Sequence, residues 1–184
     1  MVNDAEKAIR GRGGDGRGRE LQTFTEGQSF SLEIGGKTVD QLKAELDTGG
    51  YTISTGAYGI LHNPGFLTLK KPTIILLDVI TLDSLGYHKL KGYDQVFEAF
   101  QAQGYPPVPA EVGAHLRMVN LDLPMGERIA IGMRPLIDSD GYGRILGLRN
   151  SDAFKWLEED SQGGGKWKPQ DKVVVGHRSQ VGLS

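Results

Sequence analysis

The chain has 184 residues, enough for one domain with its own core, and carries 21 basic against 23 acidic side chains for a net charge of −2. That near-balance excludes a protein-wide field for gripping nucleic acid, although a local basic patch stays open. The sequence contains no cysteine, which excludes disulfides, thiolate nucleophiles, Cys-ligated zinc and iron–sulfur clusters.

The opening residues, MVNDAEKAIRG, lack the apolar core of a signal peptide. The longest strongly apolar stretch, Ile74 to Ile80, is interrupted by Asp78 and is too short to span a bilayer. A cytoplasmic protein without membrane association is the expectation. Residues 1–20 read as a flexible Gly/Arg-rich tail and residues 21–184 as a single α+β domain. Arg10 to Arg19 holds four arginines, five glycines and one aspartate, a composition that cannot offset the entropy lost on ordering. The tail reads either as a plain linker or as an RGG-like grip on RNA or another polyanion. No aromatic is interleaved with the arginines, which favours the linker.

Phe30, Leu32 and Ile34 alternate within Ser29–Ile34 and predict a strand. Thr38 and Gln41 then form a capping-box pair ahead of Val39, Leu42 and Leu46, the apolar stripe of a short helix. Gly36-Lys37-Thr38 resembles the end of a phosphate-binding loop. That motif needs a glycine five positions before its second glycine, where Ser31 stands. Ser54 caps a second helix carrying Ala57, Ile60 and Leu61, stopped by Asn63-Pro64. Thr73 to Ile80 reads as a strand apolar on both faces, hence central or covered. Asp78 inside it must be paired, lie near the strand end or shift its pKa. Tyr93, Val96, Phe97 and Phe100 define a third helix that ends at Gly104.

Pro109 fits the first turn of a fourth helix, with Val112, Leu116 and Val119 facing a core. Gly113 weakens this helix, so packing must hold it. From Arg128 the period becomes two: Ile129, Ile131 and Met133 alternate with Arg128, Ala130, Gly132 and Arg134. The economical reading is a half-buried strand leading into a β-hairpin that turns at Asp140-Gly141, where Gly141 supplies a positive φ. Phe154 and Trp156 alternate with Lys155 in a further strand, with Trp156 in the core, and Val173 to Val175 make the last strand.

PAEVGAHLR, then GERIAIGMRPLIDSDG, then Trp156-Leu157 together resemble the pattern of an uncharacterised bacterial hypothetical-protein family. The resemblance covers roughly residues 80–176. It implies one natural unit and brings no activity, cofactor or catalytic residue with it.

Three constellations could carry chemistry. Glu111 and His115 stand four apart, so their side chains meet on one helix face. Such a pair is ordinary surface chemistry, a general acid–base couple or two metal ligands. Asp138 and Asp140 precede Gly141 as in calcium loops, but Leu136 and Gly147 occupy the first and twelfth EF-hand positions, where acidic residues are needed. A looser calcium or zinc site at these two carboxylates stays open beside plain turn chemistry. Lys166, Trp167, Lys168 and Arg178 form a basic carboxy-terminal group. Trp167 sits between two lysines beside Pro169 and is the tryptophan expected on the surface, where it could stack a ligand.

These readings converge on an α+β fold of short helices packed on a mostly antiparallel sheet, with a helix-rich first half and a strand-rich second half. The functional expectation is a non-enzymatic binding or interaction module that contacts an unidentified protein or a polyanion, nucleic acid included only through the tail or a local basic patch. The alternative is a small hydrolase using Glu111 and His115, assisted by a divalent ion at Asp138 and Asp140.

Overall fold

The computed structural model describes residues 8–9, 24–86, 92–119, 121, 123–161 and 167–179. Among them are nine strands, all in one mixed sheet, and four α-helices, an α+β fold. The strands are β1 (Ala8–Ile9), β2 (Ser29–Ile34), β3 (Thr52–Ile53), β4 (Thr73–Thr81), β5 (Arg128–Ile131), β6 (Leu136–Ile137), β7 (Gly143–Asn150), β8 (Lys155–Ser161) and β9 (Lys172–Gly176). The helices are α1 (Val39–Thr48), α2 (Thr55–Leu61), α3 (Tyr93–Ala102) and α4 (Val112–Met118). No helix among the described residues is long and apolar enough to cross a membrane.

Across the sheet the order is β1-β2-β4-β9-β5-β7-β8-β3, with β6 pairing β7 off this path. Most pairings are antiparallel, but β1–β2, β3–β8 and β5–β9 are parallel. The last strand is therefore central. Val173, Val174 and Val175 are all fully buried, as a strand covered on both faces requires.

Local sequence signals explain where the helices begin. Thr38 Oγ1 accepts from the Gln41 amide at 3.3 Å, and Gln41 Oε1 accepts from the Thr38 amide at 2.8 Å, completing the capping box of α1. Ser54 Oγ caps α2 by accepting from the Ala57 amide at 3.1 Å. In α4, Gly113 lies flat against the sheet: a Cβ there would sit 2.9 Å from Leu146 Cδ1 and 3.3 Å from Ile131 Cγ1. A weak helix former is thus retained because it allows close approach. Alternation along the paired strands puts Arg128, Ala130 and Asp160 on the opposite face. There Tyr93 of α3 stacks with Trp167 at 6.0 Å, and Trp167 in turn lies under the Arg128 guanidinium.

Two sequence expectations need correction. β4 is covered only from Leu77 to Thr81, the stretch that β9 pairs. Its first half is not, and Ile74 and Leu76 remain 53% and 45% exposed. β5 is not half-buried either. Ile129, Ala130 and Ile131 are all buried; Gly113 of α4 lies against the Ile131 side chain and the Tyr93 hydroxyl of α3 donates to the Ile131 carbonyl.

The hairpin is present in a modified form. β5 pairs Arg128–Ala130 with Arg149–Gly147, and the chain then leaves the ladder before β6 closes on β7 around residues 138–142. Gly141 adopts φ +84° with open space where a Cβ would be, so a substitution there meets backbone strain without a clash. Gly141→Val is expected to destabilise the protein by about 1–3 kcal/mol, whereas Gly141→Asn, which tolerates this region, keeps most of the stability. Urea midpoints of the two variants check this.

Candidate functional site

Glu111, at the N-cap position of α4, and His115, one turn on, are brought together but not on the surface. Glu111 is 0% and His115 6% exposed, which corrects the expectation of ordinary surface chemistry. Glu111 Oε2 lies 3.3 Å from His115 Nε2. Its other oxygen, Oε1, accepts from the Leu69 amide at 2.7 Å. The Gly35 amide points at His115 Nε2 from 3.3 Å, and the Gly36 amide donates to the Leu69 carbonyl at 2.8 Å. Gly35 holds φ +83° here, with its Cα against Leu69 and Lys71. The pair therefore ties three segments together: α4, the turn after β2, and the stretch before β4.

His115 Nε2 has two suitors and room for one proton. If it carries hydrogen it donates to Glu111, and if it is bare it accepts from Gly35. In both cases Glu111 Oε1 is held by the Leu69 amide, whereas Oε2 is engaged only when Nε2 carries the proton.

Asp138 and Asp140 are not joined to this pair. Among the described residues no three His, Asp or Glu side chains gather where they could hold a metal ion. Asp138 Oδ1 accepts from the Asp140 and Tyr142 amides, each at 2.9 Å, and Oδ2 accepts from Arg144 Nε at 2.6 Å. The Tyr142 amide first, then Arg144, hold its carboxyl below the ordinary range. This carboxylate organises the hairpin tip.

The carboxy-terminal basic group is also dispersed. Trp167, expected on the surface, is 6% exposed and sandwiched between Tyr93 and Arg128, whose guanidinium stands 4.9 Å from its ring. Trp156, expected in the core, is half-buried, and its Nε1–H reaches Ser151 Oγ at 3.1 Å. The two exchange roles because Tyr93 and Arg128 cover Trp167, while Trp156 stands near the start of β8. Lys168 and Arg178 are exposed but lie before and after β9, so a strand roughly 17 Å long separates them. Lys166 lies outside the described residues, as does the tail apart from the β1 pairing.

Three further charged clusters stand in the fold; the sequence singles out Asp78, as a charge within an apolar strand, and not the other two. Asp78 is paired: Ser29 Oγ donates to its Oδ1 at 2.6 Å, His177 Nδ1 stands 2.8 Å from the same oxygen, and the Arg178 amide reaches Oδ2 at 3.1 Å. The hydroxyl and the imidazole both address the carboxylate, so this is not a relay that activates the serine. The second is Asp160, buried on β8, with Oδ1 held by Arg128 Nη1 at 2.9 Å. The third is Arg117, fully buried on α4. In sequence Asp160 ends an acidic run, Glu158-Glu159-Asp160, that reads as a solvated face, and Arg117 stands between two apolar neighbours off the predicted stripe. Neither position breaks a pattern.

A scan against protein-family models, a search of curated proteins and a search of solved structures found no match.

Two outcomes follow from this geometry. Glu111→Ala leaves the Leu69 amide without its acceptor and His115 without its carboxylate, an expected loss of about 3 kcal/mol. Glu111→Gln keeps the Leu69 bond and is expected to lose less than half of that. Chemical denaturation distinguishes the two. For Asp160, burial pushes the carboxyl up to about 6 against the pull of Arg128. Its folded-state pKa lies above the unfolded value near 3.9, so the folded protein binds this proton more tightly. The contribution is present at low pH and is lost as pH rises from about 4 to about 6, by roughly 3 kcal/mol at most. Asp160→Asn is expected to flatten the stability–pH curve across that window, measured by urea midpoints at each pH.

Proposed function

We propose that this chain is a non-enzymatic binding module that contacts an acidic partner, a protein or another polyanion, in the cytoplasm. The observation that carries this reading is a continuous exposed run from Leu69 to Ile74, holding Lys70 and Lys71 and flanked by exposed Leu67 and Leu76. Apolar side chains in such a cluster on a soluble surface are a mark of contact sites. The adjacent lysines favour an anionic partner and would speed encounter with it. The carboxy-terminal cations Lys168 and Arg178 add separate points of charge, not one patch.

The hydrolase alternative keeps one favourable observation, the 3.3 Å approach of Glu111 to His115. Against it, the pair is closed to solvent and one oxygen of its carboxylate is spent on the Leu69 amide. A general base needs a substrate within hydrogen-bond reach. The resemblance to a bacterial hypothetical-protein family adds a natural unit and no chemistry.

The test measures fluorescence anisotropy of labelled polyglutamate and polyuridylate with the full chain, beside hydrolysis of p-nitrophenyl acetate and p-nitrophenyl phosphate. Expected are binding that weakens between about 50 and 200 mM salt, a loss of about tenfold or more in the Lys70→Glu, Lys71→Glu double variant, and no hydrolysis above buffer. Absence of binding to both polymers, together with hydrolysis that Glu111→Gln abolishes while remaining folded, would replace this reading with the enzyme.

A further inference from the structure

β2 pairs β4 from Thr73 to Asp78 on one side, whereas β9 pairs it only from Leu77 onward on the other. Among the described residues no strand pairs with Thr73–Leu76 on the β9 side. The Val79 amide donates to the Gln28 carbonyl and the Val79 carbonyl accepts from the Gly27 amide, each at 2.9 Å, so Val79 faces the β2 side. On the opposite side the Leu76 carbonyl accepts from the His177 amide at 3.0 Å, just past the end of β9. Along an antiparallel strand these directions alternate residue by residue. Ile74, two residues before Leu76, therefore turns its N–H and C=O to the side that β9 has left. That donor and acceptor stand where a further strand would add.

The side chains of this stretch suit a contact and not a guarded edge. Ile74 and Leu76 share one face, opposite Glu33 and Ser31 of β2, and both are exposed. Natural edges are commonly blunted by lysine and proline. Here Lys70, Lys71 and Pro72 stand only before the strand, and the open segment itself carries Thr73, Ile74, Ile75 and Leu76. The carboxylates beside it are engaged or turned in. Asp78 is held by Ser29, His177 and the Arg178 amide, and Glu33 is half-buried. The exposed charge at the start of the edge is therefore positive, from Lys70 and Lys71.

We propose that the Thr73–Leu76 edge of β4 accepts an extended segment of an acidic partner, which adds as an antiparallel strand in line with β9. The Ile74 N–H and C=O make its central pair of hydrogen bonds. Alternate apolar side chains of the guest pack on Ile74 and Leu76 across the strands. An antiparallel guest runs in the same direction as β9, so its carboxy-terminal end arrives at Lys71 and Lys70, where its glutamates or aspartates belong. The edge spans only roughly 13 Å, and the lysines add charge recognition that fixes register and speeds encounter. This inference rests on the acidic-partner reading above and adds the form in which that partner is bound.

The test measures fluorescence anisotropy of the full chain with a labelled peptide in which valine and threonine alternate ahead of a glutamate pair. Saturable binding is expected, with a loss of roughly tenfold when the valines are N-methylated, a change that removes donors and keeps charge. Hydrogen exchange at the Ile74 amide is expected to slow in the bound state. Ile74→Pro removes the open N–H and no bond to β2, so it is expected to fold and to lose binding. Ile74→Thr keeps the amide and is expected to lose less. If Ile74→Pro does not fold, the N-methylated peptide and the Ile74 amide still decide. Polyglutamate held through Lys70 and Lys71, beside a peptide that N-methylation does not weaken, keeps the acidic-partner reading and overturns strand addition. A full chain that sediments as a dimer and becomes monomeric with Ile74→Pro gives the edge to a second copy and also overturns it. Absence of peptide binding overturns the proposal whatever polyglutamate does.

Discussion

Between Leu77–Thr81 of β4 and Ile129–Ile131 of β5 runs a single five-residue strand, β9, and through it the two halves of the sheet become one. On one side stand β1, β2 and β4, and on the other β5, β7, β8 and β3. Nothing else in the strand order bridges them. β9 pairs with two strands that lie far earlier in the sequence, antiparallel to one and parallel to the other, so it cannot arise from a local hairpin. Its pairing closes long loops, and loop-closure entropy sets the cost. Three consecutive valines suit the position because every one of them is fully buried. The Gly132 amide donates to the Val174 carbonyl at 2.7 Å and the Gly176 amide to the Pro106 carbonyl at 2.8 Å, which fastens the strand beyond its ladder.

Around this centre several charged groups are buried or half-buried. Glu111 with His115, and Arg128 with Asp160 and Asp171, join segments distant in sequence, although Asp160 Oδ2 is itself buried without a partner among the described residues. Their net contribution to stability is modest because desolvation offsets attraction, yet removing one partner strands the other. They therefore act chiefly on which arrangement of segments is tolerated. Arg117 is a fully buried cation with acceptors on one nitrogen and, among the described residues, none along an edge. The same low dielectric that makes a satisfied network rigid makes such unsatisfied groups costly.

The exposed side of the molecule has its own logic. β9 pairs only the second half of β4, so the first half emerges from the layered region with Ile74 and Leu76 uncovered. The stretch before it is pinned from below, Leu69 by its amide to Glu111 and by its carbonyl to the Gly36 amide. Lys70 and Lys71 are thereby presented on a segment whose backbone is fastened. A buried pair that sequence reading nominates for catalysis thus shapes the surface proposed for binding.

Periodicity and capping chemistry act over a few residues, and these the sequence determined. The alternation of Phe30, Leu32 and Ile34, the Thr38–Gln41 box, the Ser54 cap and the glycine at positive φ in the hairpin were legible because each depends on neighbours within about one turn. The α+β class followed from their order. Tertiary structure alone decided which tryptophan is buried. Trp167 lies among lysines in sequence yet is covered by Arg128 and Tyr93, which come from segments far away in the chain. It also decided the central place of β9, the half-exposure of β4 and the burial of Glu111, Arg117 and Asp160. A charged side chain looks alike in sequence whether it faces water or a distant backbone amide. The difference is made by long-range pairing, and that pairing leaves no local period to read.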